Sequence, residues 1–248
     1  WWLADRGDEE VRLTNVTGGL AAMNLAGPRS REVLEKICDE DLTTEALPYL
    51  SASQFMIAGV PAIVLRIGFV GELGYEIHVP GQYGLHVWSA LMEAGDDQGI
   101  VPFGVEAQRR LRLDKQHILV GHDTDALSNP LEAGLPWIVR LDKPDFVGRR
   151  VLERAARRES GQRLVGFRVA AELVPEEASL VLQDGMLGGR VTSARYSPVA
   201  GSTVGLAWVP ASKAANGQEI TIQIDGRPEI AVVQETPFYD PVGERLKG

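Results

Sequence analysis

From residue 161 to the carboxyl end, short runs rich in Val, Ile and Leu follow one another with Gly, Asp, Pro and Asn between them. The runs are 164–169, 179–183, 190–196, 204–209, 219–224 and 229–234. None is long enough to close several turns of helix, and β-branched side chains fit a pleated surface better. A chain written this way buries its apolar faces only by packing sheet on sheet or by closing a sheet on itself, so the region predicts an all-β domain, either a sandwich or a small barrel. The change in pattern divides the chain into domains 1–160 and 161–248.

The first part mixes periods. Gly18-Gly19 opens onto the apolar run 20–26, and Gly27-Pro28 then introduces residues 29–37, where Val33, Leu34 and Ile37 stand at helical spacing. Residues 55–57 and 62–69 read as two strands joined by a tight turn at Gly59, and 75–79 as another. Residues 85–92 repeat helically, with Leu85, Val87, Trp88, Leu91 and Met92 on one broad face. Pro102 leads into a helix over 103–115 that carries Arg109, Arg110 and Arg112, residues 117–136 read as loop, and 146–158 returns to helix with a basic end. Strands and helices do not alternate strictly, so the class is α+β rather than a parallel α/β sheet.

Several function classes are excluded. With 25 Lys and Arg against 34 Asp and Glu the net charge is −9, so the chain is not built to coat nucleic acid. Cys38 is the single cysteine, which rules out an internal disulfide framework or a cysteine-rich metal site and fits a reducing, cytoplasmic setting. No apolar run reaches the length of a membrane span and no signal peptide opens the chain. Its first residues, Trp1-Trp2-Leu3, lack an initiating Met and need burial, as expected of a fragment. No dinucleotide fingerprint, phosphate loop or nucleophile elbow occurs. His117, His122, Asp123 and Asp125 match no metal-binding spacing and read as loop polarity.

The informative segment is 66–80. Gly68, Gly71 and Gly74 permit positive φ and close backbone approach between two strands, and they deliver Glu76 on a rigid one. With period two, Glu76 and His78 share a face and Ile77 and Val79 take the other. A carboxylate fixed in this way accepts two parallel hydrogen bonds, and a ring N–H beside an exocyclic amine, as in pterin or guanine, offers that pair. The same spacing also describes an exposed Glu beside a hairpin. On the basic helix Gln108 and Arg112 lie four apart on one face, where a carboxylate-bearing ligand tail would suit them, as would plain solvent.

Five ordered motifs then carry a resemblance. Gly71-Glu72-Leu73-Gly74-Tyr75-Glu76, Leu111-Arg112-Leu113-Asp114-Lys115, Pro130-Leu131-Glu132-Ala133-Gly134-Leu135, Asp142-Lys143-Pro144-Asp145-Phe146-Val147-Gly148-Arg149 and Pro237-Phe238-Tyr239-Asp240-Pro241 resemble motifs of the glycine-cleavage T-protein, or aminomethyltransferase, family. The resemblance implies a tetrahydrofolate-binding α+β domain followed by a small C-terminal antiparallel β-barrel. Residues 118–125, 104–107 and 238–246 are similar to the folate-binding end of the sarcosine oxidase α subunit, and dimethylglycine and sarcosine dehydrogenases have similar ends. In those proteins a flavin site elsewhere oxidises an N-methyl amine, and the folate domain takes up the one-carbon unit as 5,10-methylenetetrahydrofolate.

By position, the resemblance implies that Glu76 grips the pterin, with Tyr75 beside it in the motif and Tyr239 closing over the ligand or packing the barrel. Gln108 stands where T-proteins have a folate-contacting Arg, so Arg109 or Arg112 would have to serve the tail. Phe69 stands where many relatives have Tyr, so a hydroxyl contact is lost. Relatives carry roughly another hundred residues before the segment matching Trp1, a domain-scale piece that includes an Asp near the reacting folate nitrogen. No catalytic residue is named in this chain, since a positioned iminium or formaldehyde gains from proximity to N5 and N10 without a protein nucleophile. The expected ligands are tetrahydrofolate and a methylamine-derived one-carbon donor, with a flavoprotein subunit or domain as partner. The alternatives are a folate-binding scaffold without turnover and a glycine-cleavage aminomethyltransferase.

Overall fold

The computed structural model describes residues 12–158 and 161–248, so the leading tryptophans lie outside the described residues. The chain forms two compact units. The first takes in the chain up to Gly68, Glu72–Pro102 and Leu246–Gly248, and the second comprises Phe69–Gly71 and Phe103–Arg245.

The first unit is built on a four-stranded sheet of β1 (Leu20–Ala26), β2 (Ala52–Ile57), β3 (Val60–Leu65) and β4 (Gly74–Pro80), in the order β1-β4-β3-β2 with antiparallel neighbours. Ala58 and Gly59 both take positive φ, 50° and 77°, the turn that a two-residue hairpin between β2 and β3 requires. Alternation along each strand then sends Leu25, Ile57, Val60, Ala62, Val64, Tyr75, Ile77 and Val79 into one core with Val33 and Leu34 of α1 (Ser30–Glu35) and Val87 and Leu91 of α2 (Gly84–Ala94). The apolar stripe of α2 is narrower than its sequence suggests. Leu85 is 78% exposed and Trp88 44%, because Val87, Leu91 and Ala94 alone meet the core.

The glycines around β4 do what their spacing predicts. A Cβ on Gly68 would sit 2.5 Å from the Glu72 carbonyl oxygen, and Gly71 has φ +87°.

The second unit contains α3 (Val105–Asp114), α4 (Arg149–Arg157) and the strands β5 (Gln162–Val169), β6 (Leu180–Gln183), β7 (Met186–Ser197), β8 (Ser202–Pro210), β9 (Glu219–Ile224) and β10 (Arg227–Gln234). The strands close a barrel in the order β10-β5-β8-β7-β6-β9, every neighbouring pair antiparallel, so of the two expected all-β forms the barrel is the one adopted. Its interior is filled by Val165, Phe167, Val191, Val209, Ile222 and Val233 among others. Strand β8 is buried on both faces, because Leu206, Val204 and Trp208 pack outside the barrel against Leu113 at the end of α3 and Ala133. That outer packing is why the compact units divide the chain differently from a boundary at 160: residues 103–158 are grouped with the barrel they cover. Helix α4 starts at Arg149, later than the pattern from 146 suggests, after Gly148 with φ +91°, and ends on Arg154 and Arg157 as its dipole prefers. Among the described residues no helix is long and apolar enough to cross a membrane.

Candidate functional site

On β4 the inward side chains are Tyr75, Ile77 and Val79, which leaves Glu76, His78 and Pro80 on the outer face of the sheet. Its neighbours on that face follow from register. Asn24 of β1 lies directly opposite Glu76, Ala22 opposite His78, and Leu65 and Ile63 of β3 flank the same two residues from the other side. The surface is half apolar, with Leu20, Met56 and Ile63 exposed by 39%, 42% and 43%. The Glu76 side chain is 37% exposed, and His78 Nε2 lies 3.5 Å from its Oε2. An acceptor pair therefore stands on a rigid strand, open to a ligand laid over the sheet.

Tyr75 takes the opposite direction. It is fully buried, the Arg66 guanidinium lies 5.3 Å from its ring centroid, and its hydroxyl accepts a hydrogen bond from Arg31 Nε at 3.3 Å. The alternation that exposes Glu76 makes its neighbour a core residue.

In the second unit, the residues from Arg112 to His117 each hold a different segment. Arg112, 2% exposed, donates to Asp123 Oδ2 at 2.5 Å, Ser193 Oγ at 2.6 Å and the His117 carbonyl at 2.9 Å. Burial pulls its guanidinium below the ordinary value, and the Asp123 carboxylate opposes that shift. Asp123 is itself fully buried, yet its carboxyl is held below the usual range: burial would raise it, but donation from Leu119 N–H, Ser193 and Thr192, with the charge of Arg112, outweighs the desolvation. The two hydroxyls reach one carboxylate because β7 bulges. Val191 pairs with Ala207 and Ser193 with Leu206, so Thr192 is an extra residue and consecutive side chains turn the same way.

Asp114 is buried with its carboxyl raised by desolvation, and its carbonyl accepts the Tyr239 N–H at 2.9 Å. Lys115 donates to Asp240 Oδ2 at 2.9 Å and to the Asp240 carbonyl, with 5% and 6% of the two side chains exposed. Gln116, at φ +57°, donates to the Gln234 and Thr236 carbonyls. His117 Nδ1 donates to the Phe69 carbonyl at 2.8 Å, and the two rings stack at 5.9 Å; burial lowers the imidazole's pKa.

The expected ligand residues thus separate. Glu76 is on an open face, Tyr75 and Arg112 are buried and engaged, Phe69 rests on His117, Gln108 is half-buried on α3, and the Tyr239 ring lies 5.5 Å from the Arg245 guanidinium. A cavity of about 1700 Å³ in the second unit, with Arg154, Arg158 and Arg163 in its wall, includes none of these six residues.

Residues 1–143 match the GCVT N-terminal domain and residues 162–240 the glycine cleavage T-protein C-terminal barrel domain. The chain belongs to the glycine-cleavage T-protein family. It is 34% identical to an aminomethyltransferase of Halothermothrix orenii over 96% of its length and 66% of the relative's. It is 36% identical to the sarcosine oxidase subunit alpha of Rhizobium meliloti, over 96% of this chain and 25% of that one. With human mitochondrial dimethylglycine dehydrogenase it shares 32% identity over 98% of this chain and 29% of the other. The chain therefore spans 63–66% of the length of the aminomethyltransferases it matches. A crystal structure of the glycine cleavage aminomethyltransferase T from Bartonella henselae superposes with a TM-score of 0.79 at 23% identity, covering 90% of this chain and 60% of that one, a likeness of fold.

Two groups escape a reading of the T-protein motifs alone. Asp123 sits in a polar stretch that reads as loop, and its partners arrive from 11, 69 and 70 residues away. Asn24 sits in an apolar run, where a lone amide in a strand is the only local sign, and its place beside Glu76 depends on strand register. The remaining loop groups pair within the second unit: Asp125 with Ser128 and Arg190, and His122 with Glu177.

Proposed function

We propose that this chain is the folate-binding part of an enzyme that transfers a one-carbon unit to tetrahydrofolate, with Glu76 accepting the ring N–H and exocyclic amine of the pterin. The observation that carries this reading is the Glu76 carboxylate itself: it lies in the family motif, on the outer face of β4, with two acceptor oxygens and His78 beside it. A carboxylate is the side chain whose geometry matches two parallel donors. When bound, tetrahydrofolate supplies the N5 and N10 amines that take up the one-carbon unit. The chain's own part is to bind and orient, which is where proximity catalysis finds its rate. The likeness to sarcosine oxidase alpha and dimethylglycine dehydrogenase supports a methylamine-derived donor, a flavoprotein partner and 5,10-methylenetetrahydrofolate as product.

Titration calorimetry of the full-length protein tests the assignment. Glu76→Ala is expected to weaken tetrahydrofolate binding by about 1–3 kcal/mol, the cost of stranding donors, or about 5- to 150-fold. Unchanged affinity overturns it.

One observation favours a second reading, a folate-binding scaffold without turnover. Gln108 stands where T-proteins have an Arg, Arg112 is spent on Asp123, and Arg109 pairs with Glu106 at 3.1 Å, which leaves Arg110 as the one arginine of α3 with no ion pair among the described residues. Binding of tetrahydrofolate without formation of the methylene product from formaldehyde or an N-methyl amine donor decides for the scaffold.

A further inference from the structure

We infer that Asn24 is a further ligand-binding residue that donates to the C4 oxygen of the pteridine, next to the donor pair held by Glu76; this rests on the folate reading above. The placement comes from the β1–β4 ladder, in which Asn24 faces Glu76 across the strand pair. Residues so paired stand about 4.5–5.5 Å apart at Cα and project to the same face. The inward residues of β1 are Ala21, Met23 and Leu25, so Asn24 shares the outer face with Leu20 and Ala22. Its side-chain amide makes no hydrogen bond to a described residue, and its position is half-buried. On the other flank of Glu76 stands Leu65, which is apolar. The face is therefore asymmetric about the carboxylate, with an amide one strand away on the β1 side and hydrocarbon on the β3 side.

That asymmetry matches one edge of a reduced pterin in one orientation. Along it lie the 2-amino group, N3–H and the C4 oxygen, which are donor, donor and acceptor. A carboxylate spans the two donors and has no proton for the oxygen. The amide of Asn24 supplies that proton from the adjacent strand, while the C2 end of the ring lies toward Leu65. A 4-amino-4-deoxy pteridine inverts the last group to a donor and removes N3–H, so Glu76 loses one of its two donors, while the Asn24 amide can turn its oxygen to the new amine. Sites built to pair a polar group discriminate against the analogue lacking it, because their own polar atoms are left stranded.

The test measures dissociation constants of tetrahydrofolate and of its 4-amino-4-deoxy counterpart for the full-length wild type, Asn24→Ala and Asn24→Asp, with circular dichroism as the check on folding. Asn24→Ala is expected to bind tetrahydrofolate about 3- to 10-fold more weakly, the value of one neutral hydrogen bond, and to bind the 4-amino compound more weakly as well. Asn24→Asp leaves only acceptors at this position, so it is expected to weaken tetrahydrofolate further and to tighten the 4-amino compound. A parallel change in both ligands in Asn24→Asp, wild-type constants in both variants, or no detectable binding of the 4-amino compound to the Asp variant overturns the inference. If the wild type binds no tetrahydrofolate, the folate reading fails instead. If Glu76→Ala loses binding while both Asn24 variants keep it, only the role of Asn24 fails.

Discussion

The buried charges of the second unit show what a side chain's sequence neighbourhood conceals. Arg112 on a helix with Arg109 and Arg110 reads as one more solvated cation, yet it is the member of the three that is enclosed, its charge met by Asp123 and its donors by Ser193 and the His117 carbonyl. Desolvating such a pair costs several kcal/mol per ion, and what offsets it is the hydrogen bonding around both groups, although Arg112 Nε is left without a partner. The same enclosure makes His117 a pH-sensitive element of stability. Its imidazole is buried and its pKa lowered from the ordinary 6.5, so the folded state binds the proton less readily than the unfolded one. Stability is then fully present above pH 6.5 and falls as the pH drops from there toward the folded-state value. Urea unfolding at a series of pH values is expected to show that loss in the wild type. His117→Gln keeps a donor for the Phe69 carbonyl and should flatten it; an unchanged slope would sink the assignment. The outward placement of Glu76 was legible because alternation along a strand is local. Asp123 and Asn24 were not, because a bulge on β7 and the register of β1 against β4 decide what they face.

At the level of elements, periodicity carried most of the information. The six β-favouring runs became the six barrel strands with ends moved by a few residues, because alternation of Val, Ile and Leu with polar residues is the strand signal itself. The choice of barrel over sandwich was legible in the family resemblance but not in periodicity, since it depends on β10 pairing with β5, whose registered residues are distant in sequence. Helix faces were read less well: apolar residues such as Leu85 and Trp88 fit the period of α2 but stay exposed, since the width of a buried stripe is set by what packs against it. The segment from Gln234 to Asp240 illustrates a third kind of element, irregular chain held by donors from elsewhere. Gln116 and Lys115 bind it at both ends, and Asp240 itself sits at φ +45°, a conformation that needs such support. Lys115→Met removes the buried cation that holds Asp240 while keeping the length of the side chain. Limited proteolysis with chymotrypsin is expected to cut this variant faster than the wild type at Phe238 or Tyr239, and equal cleavage rates would show that the ion pair does not hold the segment.

For the whole molecule, division into two compact units makes ligand binding a local event with a measurable address. The Glu76 face belongs to the first unit, and the buried Arg112 network to the second. A ligand that binds only folded protein stabilises it by about 2.7 kcal/mol at a hundred times its dissociation constant, and amides whose opening exposes the bound surface slow accordingly. If the pterin lies on the outer face of the sheet between β1 and β4, tetrahydrofolate added to the full-length protein should slow hydrogen exchange in those two strands first. Glu76→Ala at the same ligand concentration should abolish the slowing. Strands β9 and β10 pair with each other on the far side of the barrel order from β8, and nothing in their registered contacts involves Glu76, Asn24 or His78. Slowing confined to β9 and β10, with β1 and β4 unchanged, would place the ligand in the second unit and overturn the sheet-face site.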